Sequence, residues 1–305
     1  MHTRHFRTIQ IICFVGIVGT LSFGSLNPAW ANPVELSDGN STAILDPMSQ
    51  AGMSDWNVDG VDYLKQQWFW IASPQTTQQL SLDQVSAPDP SETGFLNGST
   101  NEFRIRYGTS VTFWIDVFYQ LLGGAPGSGE ATLNETIAIT NNTQGNLDFS
   151  FFQYSDFDLN PNGDSVNITT GVDPNTNEFV SMASQEALNG GPSMTESVSS
   201  VNPNTFFAEA NTFSLTRDKL NAPILFPPLF LDFSSTSAQG DVTWAFQWLE
   251  TLGPNTDPFV ITKTKTITAP ITQPPSPNPI PEPSTILLFG TGLLMAGLAR
   301  KSFRR

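Results

Sequence analysis

Two short stretches of the sequence place oxygen-bearing side chains on alternating residues and end in glycine. The pattern Asp-x-Asn-x-Asp-Gly starts at Asp55, and Asp-x-Asn-x-Asn-Gly starts at Asp158. Both match the first half of a calcium loop, in which alternating oxygens converge on the ion and the glycine permits a sharp turn. The bidentate acid expected at position 12 is missing, because Gln66 and Thr169 stand there. The same residue types also favour ordinary turns, so both interpretations stay open.

The second stretch has more acidic residues around it and is the better candidate for a metal site. Its candidate calcium ligands are Asp156, Asp158, Asn160, Asn162 and Asp164. Calcium outside the cell is concentrated enough to fill even a weak site. Calcium is therefore the candidate cofactor.

Carboxylates could also act as catalysts, because two acids suffice to hydrolyse a glycan. The candidates are Asp116, Glu135, Asp156 and Asp158. Asp116 and Glu135 fall in the middle of predicted strands, where a hydrogen-bonded structural role is more common. The sequence therefore favours a protein that is not an enzyme, with a carboxylate-dependent glycan hydrolase as the second alternative.

The N-terminal residues have the features of a secretory signal peptide. Arg4 and Arg7 precede an apolar stretch over residues 9–23, and Ala29 and Ala31 occupy the two positions that signal peptidase reads. We predict cleavage after Ala31 and export of the remaining chain.

If residues 1–31 are removed on export, the composition of the remaining chain excludes several kinds of catalytic and metal site. Cys13, His2 and His5 are the only cysteine and histidines, and all three fall within residues 1–31. Disulfides, zinc sites of the Cys/His kind, thiol nucleophiles and Ser-His-Asp triads are thereby excluded from the exported part. Residues 32–283 hold 28 acidic residues against seven lysines and arginines, a formal charge of −21. Such a surface repels nucleic acid, so no nucleic-acid partner is expected.

Hydrophobic alternation predicts β-structure throughout residues 32–269. In residues 110–122, Val111, Phe113, Ile115, Val117 and Tyr119 share one face, as the two-residue period of a strand requires. Residues 132–140 alternate in the same way, with Glu135 on the apolar face. Turn signals separate many such segments, and no ten-residue stretch has a helical period. The fold class predicted is all-β, a single antiparallel β-sandwich of jelly-roll or Ig-like type. Residues 190–204 are predicted to be a poorly ordered Ser/Asn/Pro/Gly loop.

Two aromatic clusters have alternative interpretations. Residues 68–70 read Trp-Phe-Trp, and Trp244, Phe246 and Trp248 share one face of a predicted strand. Exposed rings at this spacing would stack on sugars, whereas buried rings would form the sandwich core. The alternation favours the core, and a polysaccharide-binding or adhesin module is the first alternative function.

Residues 270–305 combine a spacer, a short motif, an apolar segment and a basic end. Seven prolines within residues 269–283 predict an extended polyproline spacer. Pro281, Glu282 and Pro283 then precede an uncharged stretch over residues 284–299, which would be a single hydrophobic helix of about 24 Å at 1.5 Å per residue. The stop-transfer charges that follow are Arg300, Lys301, Arg304 and Arg305.

This arrangement resembles the PEP-CTERM sorting signal of exported bacterial proteins, over residues 281–305. The resemblance implies recognition by an exosortase, a membrane protease that removes the tail, and an association of such systems with exopolysaccharide. A permanent membrane anchor is the simpler alternative. Segments such as those at residues 58–62 and 113–124 are also similar to parts of other PEP-CTERM passenger proteins, which carry no activity to transfer.

These observations predict four parts, namely a signal peptide over 1–31, an acidic β-sandwich over 32–269, a linker over 270–280 and a sorting signal over 281–305. Signal peptidase and exosortase are the expected processing partners, with exopolysaccharide as a candidate ligand. The precursor would sit in the inner membrane, and the processed protein at the envelope surface or outside the cell. The function predicted from sequence is a non-catalytic surface or extracellular-matrix protein.

Overall fold

The computed structural model describes residues 33–188, 190–227, 231 and 235–270. The predicted signal peptide, almost all of the linker and the whole sorting signal lie outside the described residues. Within these ranges no helix is long and apolar enough to cross a membrane.

The described residues form two packed sheets, which confirms the predicted all-β sandwich. The first sheet has the order β1-β2-β3-β5-β11-β17-β15, with β4 paired to β3 and β6 paired to β5. Its strands are β1 Val34–Asp38, β2 Ser41–Asp46, β3 Gly52–Val58, β4 Val61–Asp62, β5 Leu64–Ala72, β6 Leu80–Ser81, β11 Leu147–Phe157, β15 Phe206–Thr212 and β17 Val242–Leu252. All pairings are antiparallel except a short parallel contact between β3 and β5.

The second sheet is entirely antiparallel, in the order β16-β12-β13-β14-β18-β10-β9-β8-β7. Its strands are β7 Gly94–Phe95, β8 Glu102–Gly108, β9 Phe113–Gly123, β10 Glu130–Asn141, β12 Asp164–Val172, β13 Phe179–Ala187, β14 Ser193–Val198, β16 Ser237–Gly240 and β18 Phe259–Thr268. The two helices in the described part are short, α1 Leu82–Val85 and α2 Leu215–Asn221. With nine strands in each sheet, the sandwich is larger than an immunoglobulin domain.

Aromatic residues fill the space between the sheets. Phe69 stacks on Phe151 with ring centroids 5.6 Å apart, and Phe157 stacks on Trp244 at the same distance. The first sheet is also covered on its other face, where the buried indole groups of Trp68 and Trp70 donate to Ser81 of the short strand β6 and to Asn221 of α2. Both predicted aromatic clusters therefore belong to the core, and neither offers an exposed platform for sugars.

Two local predictions were wrong. Residues 193–198 form β14 in the middle of the second sheet, between β13 and β18, although the surrounding segment was predicted to be disordered. Its residues alternate between buried and exposed, with Met194, Glu196 and Val198 inward. Val111 does not lie on the apolar face of β9, because that strand starts at Phe113 and Val111 sits in the preceding turn, 74% exposed.

Candidate functional site

The four candidate catalytic acids occupy three different environments. Asp116, on β9, is buried and accepts hydrogen bonds from the Nε atoms of Arg104 at 2.9 Å and Arg106 at 2.8 Å. Glu92 holds Arg104 from the other side at 2.6 Å. Asp116 is therefore fixed in an ion-pair network of the second sheet and is not available as a catalyst.

Glu135 projects from β10 into the space between the sheets. It is fully buried and contacts the ammonium groups of Lys263 and Lys265. A substrate in solution therefore cannot reach this carboxylate. The remaining two acids, Asp156 and Asp158, share a cleft.

The cleft has a volume of about 770 Å³ and opens where the chain leaves β11 of the first sheet and enters β12 of the second. One wall consists of the β11 end and the connecting loop, and another consists of α2 and the turn before β17. Carboxyl groups, two cations, amides and aromatic rings line it: Asp156, Asp158, Asp164, Asp241, Lys65, Arg217, Gln66, Asn160, Asn162, Phe157 and Phe213.

Asp156 is the chemically distinctive residue of this cleft. It lies next to the end of β11, is 5% exposed, and pairs in register with Gln66 of β5 and Thr243 of β17. Burial, together with the negative charge of Asp241, raises the pKa of the Asp156 carboxyl to about 7, against opposing effects of Tyr154 and Arg217. The Tyr154 hydroxyl donates to Asp156 Oδ2 at 3.4 Å. A carboxyl with this pKa can both donate and accept a proton near neutral pH.

The loop over residues 158–164 is largely organised by its own hydrogen bonds. Asn160 Oδ1 accepts from the backbone N–H of Asn162 at 2.9 Å, and Asp164 Oδ2 accepts from the backbone N–H of Leu159 at 2.9 Å. Gln185 also donates to Asp164 Oδ2 at 2.7 Å, while Asp164 Oδ1 has no hydrogen-bond partner among the described residues. Burial raises the pKa of Asp164.

The candidate calcium ligands thus share one cleft, but several of their oxygens are already used. Asn160 Oδ1 and Asp164 Oδ2 stabilise the turn, and Asp156 is half-protonated near pH 7, which disfavours metal binding. Within the described ranges there is no group of three or more His, Cys, Asp or Glu side chains arranged to hold a metal ion. Calcium binding at this loop stays a prediction.

The first calcium-like stretch connects the two sheets. Asp59 lies in the left-handed region at φ 52° and its carboxylate accepts from the backbone N–H groups of Gly127 and Gly129, in the loop between β9 and β10. These hydrogen bonds lower the pKa of Asp59, with the Gly127 bond the largest contributor. Asp55 accepts from Asn57, its neighbour in the pattern, at 2.5 Å. The oxygens of this stretch are therefore used in a structural contact.

Two cations and a ring complete the cleft. The Arg217 guanidinium carbon lies 4.4 Å from the centroid of the Phe213 ring, and that ring is 42% exposed. Lys65 Nζ lies 3.9 Å from Asp158 Oδ2 and 3.6 Å from Asp62 Oδ2. Sequence reasoning missed Lys65, Arg217, Phe213 and Asp241 as site residues, because they come from three separate segments and form no motif. The one sequence signal, which concerns only Lys65 and Arg217, is the scarcity of cations in so acidic a chain.

Several solved structures have a similar arrangement of strands. An aldose epimerase homologue from C. elegans is 8% identical with a TM-score of 0.45, and the match covers 78% of this chain and 99% of that one. A galactose mutarotase related enzyme from Lactobacillus acidophilus is 7% identical with a TM-score of 0.44, covering 80% and 100%. A bacterial glucoamylase complexed with acarbose is 8% identical with a TM-score of 0.47, covering 78% of this chain and 32% of that one. This likeness concerns the fold and assigns no residue or reaction to the chain.

The sequence-based prediction of function requires a correction. The similar structures are described as carbohydrate-converting enzymes, which contradicts the prediction of a non-catalytic surface or matrix protein. The prediction that the protein is not an enzyme is contradicted by the same finding. Both are withdrawn.

The C-terminal residues, in contrast, match a known family directly. No curated protein matches the sequence significantly. Residues 279–305 match the family described as the PEP-CTERM protein-sorting motif, and this range includes Pro281, Glu282, Pro283 and the basic end. The motif implies an exported protein whose membrane-anchored precursor is processed by an exosortase, so the predicted resemblance is confirmed and the chain carries a PEP-CTERM sorting tail.

Proposed function

We propose that this protein is an exported enzyme that acts on a carbohydrate by acid–base catalysis, with its active site in the cleft beside Asp156. The observation that carries the proposal is the Asp156 carboxyl, which is buried at the cleft wall and has a pKa of about 7. A general acid or base works best when its pKa lies near the working pH. In this role, Asp156 transfers a proton to or from a sugar oxygen.

The lining of the cleft supports a carbohydrate as the ligand. Carboxylate and amide groups of Asp158, Gln66 and Asn162 can accept and donate hydrogen bonds to hydroxyl groups. Phe213 offers a partly exposed ring against which the apolar face of a sugar can pack. Arg217 can donate to a ligand oxygen because its side chain lines the same cleft.

The proposal is tested by measuring anomer interconversion of free aldoses with NMR, a reaction that needs only proton transfer at the sugar. We expect the exported protein to accelerate the interconversion of at least one aldose in a panel. Asp156→Asn, which keeps the shape of the side chain but cannot exchange a proton, should reduce the rate at least 100-fold. The rate should follow a pKa near 7 in the wild-type protein.

Controls separate catalysis at the cleft from catalysis by buffer or by surface acids. Asp148→Asn changes an exposed carboxyl on the first sheet, hydrogen-bonded to Thr251, and should leave the rate unchanged. Heat-denatured protein gives the background rate. If the wild-type protein matches that background for every sugar and binds none of them in titrations, the proposal is wrong.

We also propose how the enzyme reaches its place of action. Signal peptidase would cleave after Ala31, the sandwich would fold from residues 32–269 outside the inner membrane, and residues 270–280 would space it from the tail. The processed protein would then be located at the envelope surface or outside the cell, where polysaccharide would supply the substrate. The PEP-CTERM motif supports the export and processing steps of this proposal.

A further inference from the structure

Four charged side chains lie buried between the two sheets. Glu135 of β10, Glu196 of β14, and Lys263 and Lys265 of β18 are each at most 2% exposed. Lys265 Nζ lies 2.7 Å from Glu135 Oε2 and 3.4 Å from Glu196 Oε1, and Lys263 Nζ lies 3.1 Å from Glu196 Oε1. All three strands belong to the second sheet, and the four side chains point at the first.

The side-chain amide of one residue in the first sheet contacts this charged cluster. Gln67 of β5 is fully buried, and its Oε1 accepts a hydrogen bond from Lys265 Nζ at 3.1 Å. The amide nitrogen of Gln67, Nε2, has no hydrogen-bond partner among the described residues. A primary amine, a carboxylate and an amide carbonyl thus converge, with the amide nitrogen left free.

Structural stability alone does not account for this arrangement well. Removing charges from water costs several kcal/mol per ion, and well-packed apolar residues are often at least as stabilising. An unpaired buried N–H group adds a further cost. The aromatic rings around the cluster exclude water, since Lys263 Nζ lies 5.0 Å from the Phe69 ring centroid and Trp244 Nε1 donates to Glu196 at 2.9 Å.

We propose that Lys265 and Gln67 form an intramolecular isopeptide bond, with Glu135 as the proton carrier, so that the two sheets become covalently linked. A proton passes from the Lys265 ammonium to Glu135, and the freed electron pair of Nζ adds to Gln67 Cδ to form the new N–C bond. Glu135 delivers this proton to Nε2 and takes a second proton from Nζ. The Cδ–Nε2 bond then breaks with its electron pair on nitrogen, and ammonia leaves.

The charges balance in the product. Before reaction the cluster holds two ammonium groups and two carboxylates. Afterwards Lys265 is an uncharged amide, Glu135 is a neutral acid, and Lys263 remains paired with Glu196. The cluster therefore stays neutral overall, and no oxidant or co-reactant is required.

The two lysines differ in a way that favours Lys265 as the nucleophile. Burial lowers the pKa of Lys265, and repulsion by Lys263 adds to that effect against the attraction of Glu135 and Glu196. For Lys263, the attraction of the two carboxylates outweighs burial, and its pKa is raised. Lys265 is thus the lysine that releases a proton more readily, and it is the one that contacts the Gln67 carbonyl.

The position of the proposed isopeptide bond suggests that it resists mechanical force. The bond would tie β18, which directly precedes the proline-rich segment, to β5 of the opposite sheet, 198 residues away in sequence. A pull applied through the proline-rich segment would then reach a covalent bond instead of a strand held only by hydrogen bonds. This role does not depend on the catalytic proposal, because neither Gln67 nor Lys265 lines the cleft.

The test is an intact-mass measurement on the full-length chain expressed with its export signals and purified after export. We expect the denatured protein to be lighter than the mass calculated for its observed termini by about 17 Da, the mass of ammonia. Trypsin should fail to cut after Lys265, and tandem mass spectrometry should find the Gln67 and Lys265 peptides joined. An unchanged mass with both peptides linear would overturn the proposal.

The peptide map and paired variants distinguish the proposed bond from other reactions that lower the mass of the protein. Succinimide formation at Asn97–Gly98, Asn162–Gly163 or Asn189–Gly190 also releases ammonia, and a loss located at any of these pairs would overturn the proposal. A loss of about 18 Da would indicate a Lys–Glu amide and would equally overturn it. Gln67→Ala and Lys265→Met should abolish the loss. Gln153→Ala, at a buried glutamine 3.3 Å from Glu196, should keep it.

Discussion

Replacing Asp156 by asparagine should change stability in a way that depends strongly on pH. In the folded protein the pKa of Asp156 is raised from 3.8 to about 7, chiefly by burial. An acid with a raised folded-state pKa binds more protons in the folded state between the two pKa values. The free energy of unfolding therefore falls as the pH rises from about 4 to about 7, and this loss is complete above pH 7.

The magnitude follows from the size of the shift. Each pKa unit corresponds to 1.36 kcal/mol, so a shift of about 3 units corresponds to about 4 kcal/mol of destabilisation above pH 7. Asparagine has the same shape, carries no charge at any of these pH values and can accept from the Tyr154 hydroxyl. We expect Asp156→Asn to match the wild-type protein at pH 4 and to exceed its stability at pH 8 by a few kcal/mol.

Urea unfolding of both proteins at intervals from pH 4 to pH 8 measures this difference directly. Comparing the two proteins at each pH removes the contribution of other buried acids, such as Asp164 and Glu250, whose pKa values burial also raises. Asp158→Asn is the matched control, since its side chain is 49% exposed in the same cleft, and its difference from wild type should stay small. A difference for Asp156→Asn that is constant with pH, or a variant less stable than wild type at pH 8, would refute the reasoning and remove the basis for Asp156 as a proton-transfer group.

Four further predictions concern the metal, the ion-pair network and the processing. Calcium at ten times its dissociation constant should stabilise the fold by about 1.4 kcal/mol, and Asp158→Ala should remove that gain; an unchanged melting temperature in millimolar calcium would make the loop an ordinary turn. Asp116→Ala should cost about 3 kcal/mol in urea unfolding because it leaves Arg104 and Arg106 without their shared carboxylate, and a cost below about 1 kcal/mol would contradict that assignment. N-terminal sequencing of exported protein should give Asn32, and a start at Met1 would refute the signal peptide. Alanine at Pro281, Glu282 and Pro283 should leave membrane insertion intact but make the tail-bearing form accumulate, whereas unchanged processing would favour a permanent anchor.

The strands could be predicted wherever one face was uniformly apolar. In β10, Leu133, Ile137 and Ile139 made the alternation visible, and the structure buries all three. In β14 the same alternation is interrupted by Glu196, whose charge is neutralised by lysines of β18 that lie far away in sequence. Local composition cannot reveal such a partner, so the segment resembled a disordered loop.

The candidate site was predictable only in part for a similar reason. Asp158 was identified because it starts a motif within one stretch of sequence, and Asp156 because it lies two residues before that motif. Arg217 and Asp241 approach them only after β11, α2 and β17 have been brought together by long-range pairing. The raised pKa of Asp156 depends on that burial, and the sequence alone treats this residue as one acid among 28.

The pairing of the few lysines and arginines with carboxylates gives an independent reason to locate the proposed active site in the cleft. The part of the chain that the structure describes has seven lysines and arginines, and six of them, all except Arg217, lie within 4 Å of a carboxylate. Arg217 instead rests on the Phe213 ring at the cleft wall, in a molecule where acidic partners are abundant. A guanidinium kept apart from such partners retains its donors for a ligand. Because Arg217 also opposes the burial effect on Asp156, a negatively charged ligand that paired with this guanidinium would raise the pKa of Asp156 further and favour its proton-donating form.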